Sequence, residues 1–289
     1  MNHSRTAIAS GLLAIALIAP AHADLIETSA SASITNVSIQ LKASSPFDKN
    51  PPWVVWASPD TGEGSTPFTF SIDTSTTSVD ASGKTSTTHD VKVAPSVGAN
   101  IFTPTSATQS SETISTQGSI TSKAISSQMH LALDPSDPAH DQKTSAWVGV
   151  RPSQGVFVLS PFTRITITGN YATSVAGTGG ESLAAALGRL WLESAPDKIS
   201  EVYAKSDFFP RVWNPRTGEP MDSDPTPKSG TFTLTLSNNT ANATRGGLSL
   251  SVWTHASLGT VSSVPEPETI ALMLAGLGVV ASTRWRKRH

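Results

Sequence analysis

Cysteine is absent from the 289 residues, which excludes a disulfide scaffold, a thiolate-ligated zinc or iron–sulfur site, and thiol catalysis. Charge is also scarce: charged residues make up 15% of the chain and the net charge is −2. A dedicated nucleic-acid binder needs a basic surface, so the composition argues against that class. Aromatic residues amount to only 6%, whereas 42 serines and 35 threonines supply about a quarter of the chain.

The first 23 residues have the pattern of a secretory signal peptide. Arg5 gives a positive start, residues 8–20 are largely apolar, and Ala21 and Ala23 form the small-x-small pattern that precedes cleavage. A retained membrane anchor is the alternative, but the apolar run is shorter than the roughly 20 residues that span a bilayer. We therefore expect export and cleavage after Ala23.

The last 26 residues contain three parts in order. A proline-rich motif comes first, an apolar run over residues 270–282 follows, and a basic cluster ends the chain. The run predicts a short membrane helix, and the positive-inside rule places the basic end in the cytoplasm as a membrane stop. The motif consists of Val264, Pro265, Glu266 and Pro267, and the basic cluster of Arg284, Arg286, Lys287 and Arg288.

This order of motif, helix and basic tail resembles the PEP-CTERM sorting signal of Gram-negative bacteria, a tail also known as the ice-binding protein C-terminal domain. The resemblance implies recognition by an exosortase, a membrane protease that processes the tail near the Pro-Glu-Pro motif. It further implies an inner-membrane-anchored precursor that passes transiently through the membrane to the cell surface or extracellular matrix. Association with extracellular polysaccharide, biofilm or floc is implied as well. An ordinary tail anchor is the alternative.

The body of the chain alternates apolar and polar residues with period two, the pattern of half-buried strands. Clear runs lie at 37–41, 68–72, 129–133, 231–236 and 248–252. About nine to twelve short strands result, so we expect an all-β fold, an antiparallel β-sandwich. We divide the chain into a signal peptide (1–23), one sandwich-like domain (24–263) and a sorting signal (264–289). The product spanning 24–265 would carry a net charge of about −5.

Several segments of the body are ambiguous. Residues 181–192 contain strong helix formers, yet they lie between strands, and we favour a strand. Residues 103–127 are rich in Ser and Thr and predict either thin edge strands or a partly disordered spacer. Residues 44–66 and 206–229 are rich in proline and read as loops.

No set of residues forms a recognisable catalytic motif. The G-x-S-x-G pattern is missing, and His89, His130, His140 and His255 are isolated from one another. We therefore expect no enzyme, no cofactor and no metal. A weak calcium candidate is the oxygen-rich stretch containing Asp134, Asp137 and Asp141, although its spacing is not that of an EF-hand.

Aromatic residues cluster in the two proline-rich loops. Trp53 and Trp56 lie in the first, and Trp213 lies in the second. Exposed tryptophans on loops are candidate sugar contacts, because an indole can stack on a pyranose ring. The alternative is that these rings fold back and cap the ends of the sandwich.

Three functions compete at this stage. The leading hypothesis is a non-enzymatic surface or matrix protein. The second is a carbohydrate-binding module or carbohydrate-active enzyme with the same tail. A flat strip of tryptophans would favour the module. Two carboxylates about 5–10 Å apart in a cleft would favour the enzyme. The third is ice binding, for which the threonine runs at 166–168 and 231–235 are short.

Overall fold

A computed structural model describes residues 26–44, 50–58, 66–67, 69–80, 82–95, 102–111, 113–133, 143–154, 156–208 and 223–259. This part of the chain is all-β and contains sixteen strands and no helix. The strands are β1 (Ile26–Ala43), β2 (Val54–Val55), β3 (Ala57–Ser58), β4 (Thr66–Pro67), β5 (Thr69–Val79), β6 (Thr85–Pro95), β7 (Thr105–Ser110), β8 (Ile114–Thr121), β9 (Ala124–Leu133), β10 (Lys143–Gln154), β11 (Val156–Leu159), β12 (Thr163–Gly177), β13 (Glu181–Leu192), β14 (Ala195–Phe208), β15 (Lys228–Asn238) and β16 (Thr244–Gly259).

The strands form two large antiparallel sheets packed face to face. The six-stranded sheet has the order β15-β12-β1-β9-β8-β7, and the eight-stranded sheet has the order β14-β13-β16-β10-β5-β6, with β11 paired to β16 and β2 to β11. Strands face each other in matching order, so that β1 contacts β13 and β16 while β9 contacts β16 and β10. The predicted all-β, sandwich-like fold is confirmed. β3 and β4 form a separate two-stranded ribbon.

Period-two burial produces the core. In β15, Phe232, Leu234 and Leu236 point inward and are buried, whereas the threonines between them are exposed. The same alternation in both sheets builds one apolar cluster between them. Its largest fully buried side chains are Phe70, Phe157, Ile34, Ile72, Ile125, Leu131, Leu133, Leu159, Ile165, Ile167 and Leu190.

Strand β1 changes phase at a bulge. Its register with β12 shifts between Thr35 and Ser38, and Asn36 adopts a left-handed φ of 54°. Even-numbered residues are buried before the bulge and Val37 is buried after it. An inserted residue reverses which side chains face the core. The bulge therefore explains why the clear run at 37–41 predicted only the second half of an 18-residue strand.

The ambiguous segments resolve as strands. Residues 181–192 are β13, which confirms the strand interpretation, and residues 103–127 contain β7, β8 and the start of β9. The predicted number and length need correction, because ten of the sixteen strands have ten or more residues. Small Ser, Thr, Ala and Gly side chains weaken the apolar alternation, so sequence runs understate strand length. Both predicted loops also contain strand residues: β2 to β4 lie mostly within 44–66, and β14 extends to Phe208.

Candidate functional site

The predicted tryptophans of the first loop have different environments. Trp56 is 7% exposed, and its ring lies 5.4 Å from that of Phe157, so it caps the core and presents no free face to a sugar. Trp53 is 42% exposed. Its backbone exchanges two hydrogen bonds with Ser160: the Trp53 amide donates to the Ser160 hydroxyl at 2.9 Å, and the Ser160 amide donates to the Trp53 carbonyl at 3.1 Å.

Trp53 borders a cavity of about 360 Å³ at the end of the sandwich where β16 begins, with Asn50, Pro161 and Ala241 among its other walls. Beneath it, the buried Asn238 amide donates to the Ser160 carbonyl at 3.0 Å and to the Asn242 carbonyl at 2.8 Å. Trp53 therefore stays a candidate sugar contact on a well-supported surface. Trp213, the calcium candidates Asp134, Asp137 and Asp141, the signal peptide and the whole tail lie outside the described residues.

A larger aromatic group lies on the outer surface of the eight-stranded sheet. We call it the aromatic face and define it as Trp147 on β10, Trp253 on β16, Trp191 on β13 and Tyr203 on β14. Strand pairing brings the first, second and fourth close together, since Trp253 lies opposite both Gly149 and Ala185, whereas Trp191 lies opposite Gly247, six residues from Trp253 along β16. The rings of Tyr203 and Trp253 are 6.3 Å apart and inclined by 30°.

Two glycines make room for the indoles of this face. A Cβ atom on Gly149 would collide with the ring of Trp147, and one on Gly247 would collide with the ring of Trp191. Each indole thus covers a glycine and packs down along the sheet. The guanidinium of Arg189 adds a cation–π contact, with its Cζ atom 5.8 Å from the centroid of the Trp191 ring.

Charged groups around the aromatic face occur as ion pairs. Arg189 Nε lies 3.6 Å from Glu201 Oε2, Lys205 Nζ lies 2.6 Å from Asp207 Oδ2, and Arg151 Nη2 lies 3.9 Å from Asp73 Oδ2. The same Asp73 is hydrogen-bonded through Oδ1 to His89 Nε2 at 2.7 Å. Trp147, Arg151, Ser251 and Trp253 border a shallow cavity of about 320 Å³ between these groups.

His255 on β16 borders the aromatic face. It lies opposite Trp147 on the neighbouring strand and opposite Leu183 on the other side. Burial lowers the pKa of His255 below its usual value, and the carboxylate of Glu181 opposes part of this effect. The imidazole therefore resists protonation and stays neutral at pH 7.

The outer surface of the six-stranded sheet has a different composition. We call it the hydroxyl face, because serines and threonines on β1, β8, β9, β12 and β15 dominate it. Hydroxyl pairs bridge neighbouring strands, as between Ser31 and Ser174 at 2.8 Å and between Thr166 and Thr235 at 3.3 Å. The threonine array extends over two neighbouring strands, where Thr166 and Thr168 pair with Thr235 and Thr233.

Within the described ranges, no three His, Asp or Glu side chains approach closely enough to hold a metal ion. None of the secondary structure in these ranges is a helix long and apolar enough to cross a bilayer.

The aromatic face escaped the sequence analysis, which looked for aromatics in loops. The sequence contained a pattern that could have revealed it, because each ring belongs to a strand residue that faces solvent. Trp147, Trp191 and Trp253 each lie between two buried neighbours, for example Leu190 and Leu192 around Trp191. A large aromatic residue at a position that should face solvent is the pattern that identifies such a surface.

Comparison with known proteins gives one match. Residues 263–288 match the family described as the PEP-CTERM protein-sorting motif. The matched range contains Val264 to Pro267 and the basic cluster, and it begins four residues after β16 ends at Gly259. No curated protein and no solved structure matches the chain. The chain thus carries a PEP-CTERM sorting motif, which makes it an exported protein that an exosortase processes at the membrane.

Proposed function

We propose that this protein is a non-enzymatic component of the cell surface or extracellular matrix, where it associates with extracellular polysaccharide. Residues 24–263 would form the exported domain, and the tail would be its sorting signal. The observation that carries the proposal is the position of the sorting motif directly behind the last strand of a two-sheet sandwich. An antiparallel sandwich packs one face of each sheet on the core and leaves the other face open to contacts.

The tail is expected to act in two steps. The apolar run 270–282 halts the chain in the inner membrane, with the cluster Arg284 to Arg288 on the cytoplasmic side. Pro265 and Pro267 fix their own φ angles and disfavour helix for the residues before them, which leaves an extended backbone that a protease can bind. Cleavage there releases the sandwich to the surface.

A localisation experiment tests this proposal. In a Gram-negative host that has an exosortase, Pro265→Ala, Glu266→Ala and Pro267→Ala are combined, and inner-membrane and surface fractions are compared by immunoblot. We expect unprocessed chain to accumulate in the inner membrane. The matched control combines Thr260→Ala and Ser262→Ala, two nearby changes outside the Pro-Glu-Pro motif, and should be processed normally.

Two results would contradict the proposal. Normal processing of the triple-alanine variant would reduce the tail to a plain anchor. Release of reducing sugar from polysaccharides by the purified protein would make it a carbohydrate-active enzyme.

Mass spectrometry of the exported material checks the other terminus and should find Asp24 as the first residue, because cleavage is predicted after Ala23.

A further inference from the structure

We propose that the aromatic face binds a neutral, ribbon-like polysaccharide built of β-linked hexopyranoses. The inference rests on the proposed association with extracellular polysaccharide and names the surface and the chemical class for it. Trp53 at the end of the sandwich is not required. Four aromatic rings on neighbouring strands of one sheet surface, with hydroxyls and ion pairs between them, are the features that carry the inference.

The arrangement of the rings suits an extended ligand. Trp147, Trp253 and Tyr203 run diagonally across the sheet from β10 to β14. This row crosses three strand spacings, about 14 Å at roughly 4.8 Å each. On β13, which lies between β16 and β14, the residue opposite Trp253 is Ala185, whose small side chain leaves the row open. Such a row can contact several successive sugar rings.

The indoles are also fixed before a ligand arrives. Because Gly149 and Gly247 lack a Cβ atom, Trp147 and Trp191 can pack down onto the backbone instead of projecting into solvent. Packed rings lose little side-chain entropy on binding, which improves affinity. The C–H faces of a β-linked hexopyranose ribbon are apolar and match the electron-rich face of an aromatic ring.

Charge balance favours a neutral polymer. Arg151, Arg189 and Lys205 are each paired with a carboxylate. Glu181 lies at the end of the face towards His255, so the face has no excess of positive charge. An anionic polysaccharide would find no counter-charge here. The ion pairs and the half-buried Ser249, whose hydroxyl lies 3.1 Å from that of the buried Ser251, instead offer donors and acceptors to sugar hydroxyls.

A second copy of the chain is the rival occupant, and the surface suits it less well. A stable protein interface buries about 800 Å² per partner around an apolar centre. On the aromatic face Tyr203 is 54% exposed, while the three indoles are only partly exposed. Dimerisation would also bury the surrounding ion pairs, which costs desolvation energy.

Affinity electrophoresis of the full chain in mild detergent tests the inference. The probes are hydroxyethyl cellulose as a neutral ribbon, alginate as an anionic ribbon, and dextran as a neutral polymer without the ribbon shape. We expect retardation by hydroxyethyl cellulose that persists at about 1 M NaCl, where the screening length is about 3 Å. Alginate and dextran should retard the chain much less.

Variants locate the site. Trp147→Ala and Trp253→Ala should each weaken binding about fivefold to tenfold, because an aromatic contact contributes about 1 kcal/mol and 1.4 kcal/mol is a factor of ten. Trp253→Phe keeps a ring and should retain most of the affinity. The matched control is Thr233→Ala, which removes an exposed side chain of β15 on the hydroxyl face and should bind like the wild type. A strand-type circular dichroism spectrum verifies that each variant folds.

Each contrary result overturns the inference. It fails if hydroxyethyl cellulose does not retard the wild type, if alginate binds more strongly in a salt-sensitive way, or if Trp53→Ala abolishes binding. A dimer in analytical ultracentrifugation that Trp253→Ala dissociates, without polysaccharide binding, would assign the face to a second copy. Failure of the proposed function would be a separate result. Normal processing of the triple-alanine tail variant would contradict that function, while binding by the purified chain would be unchanged.

Discussion

The outer surfaces of the two sheets differ sharply, although the surfaces that face each other inside are alike. Inside, both sheets contribute aliphatic and phenyl side chains to one core. Outside, the six-stranded sheet presents hydroxyls paired across strands, as in Ser119 and Ser126 at 2.8 Å. The eight-stranded sheet presents three indoles and a phenol among ion pairs. Folding requires only that an outer face be soluble, and the hydroxyl face meets this requirement without large rings.

The aromatic face therefore needs another explanation than stability. Of the five tryptophans that the structure describes, three are partly exposed on this one face, in a chain with only 6% aromatic residues. Large apolar groups grouped on a solvent-facing surface mark sites of interaction. The contrast is the basis of our proposal that the eight-stranded sheet has a binding role besides the structural role that both sheets share.

The largest expected effect is on the free energy of unfolding, and it concerns strand β13, which faces the core on one side and solvent on the other. Leu190 and Trp191 are neighbours on β13, and Leu190 is fully buried. Leu190→Ala should lower the free energy of unfolding by about 2–5 kcal/mol, because it leaves a cavity in the core. Trp191→Ala should cost about 1 kcal/mol, since its packing over Gly247 and its contact with Arg189 are lost from the surface of the sheet. Urea denaturation measures both, and equal losses would mean that the two sides of β13 are assigned wrongly.

A smaller effect is expected from filling the space under an indole. Gly149→Val places methyl groups where the ring of Trp147 lies, and overpacking of this kind costs about 1–3 kcal/mol. The displaced indole should also shift the tryptophan fluorescence and weaken hydroxyethyl cellulose binding. Thr168→Val on the hydroxyl face is the matched control, a similar change at an outward strand position that should stay within about 0.5 kcal/mol of wild type. Unchanged stability and binding in Gly149→Val would contradict the packing of Trp147.

The smallest effect concerns pH. The folded-state pKa of His255 lies below its unfolded value of about 6.5, so the unfolded chain binds the proton more tightly. The contribution of His255 to stability is therefore complete above about pH 6.5 and is lost as the pH falls below that value. We expect the melting temperature of His255→Gln to fall less than that of the wild type between about pH 7 and pH 5. A larger fall in the variant would show that the imidazole is not buried against protonation.

Some strands of this structure can be predicted from the sequence and others cannot. Strands with strong contrast, such as β15 with Phe232, Leu234 and Leu236 between threonines, are evident from period-two alternation. Strands β7 and β8 are not, because a buried Ala107 or Thr116 differs little in polarity from its exposed neighbours. The bulge at Asn36 was likewise missed, since the residues from Thr28 to Ser33 before it are all small and show little apolar–polar contrast.

The site was harder to predict than the fold for a physical reason. Local alternation shows that Trp147 and Trp253 point outward, but their proximity depends on the pairing of β10 with β16, which are about a hundred residues apart. Strand order is a property of the whole sheet and is not encoded in either segment alone. The sorting motif at residues 263–288 is the opposite case, because a contiguous segment carries all of its information.

The most direct test of the account is to follow the indole N–H signals of the ¹⁵N-tryptophan-labelled full chain by NMR during titration with a soluble cello-oligosaccharide. The account predicts that the signals of Trp147 and Trp253 shift in a saturable way, while those of Trp53 and Trp56 stay in place. Single Trp→Phe variants assign the signals. Shifts confined to Trp53, or no shifts at all, would contradict the claim that the aromatic face binds a neutral polysaccharide.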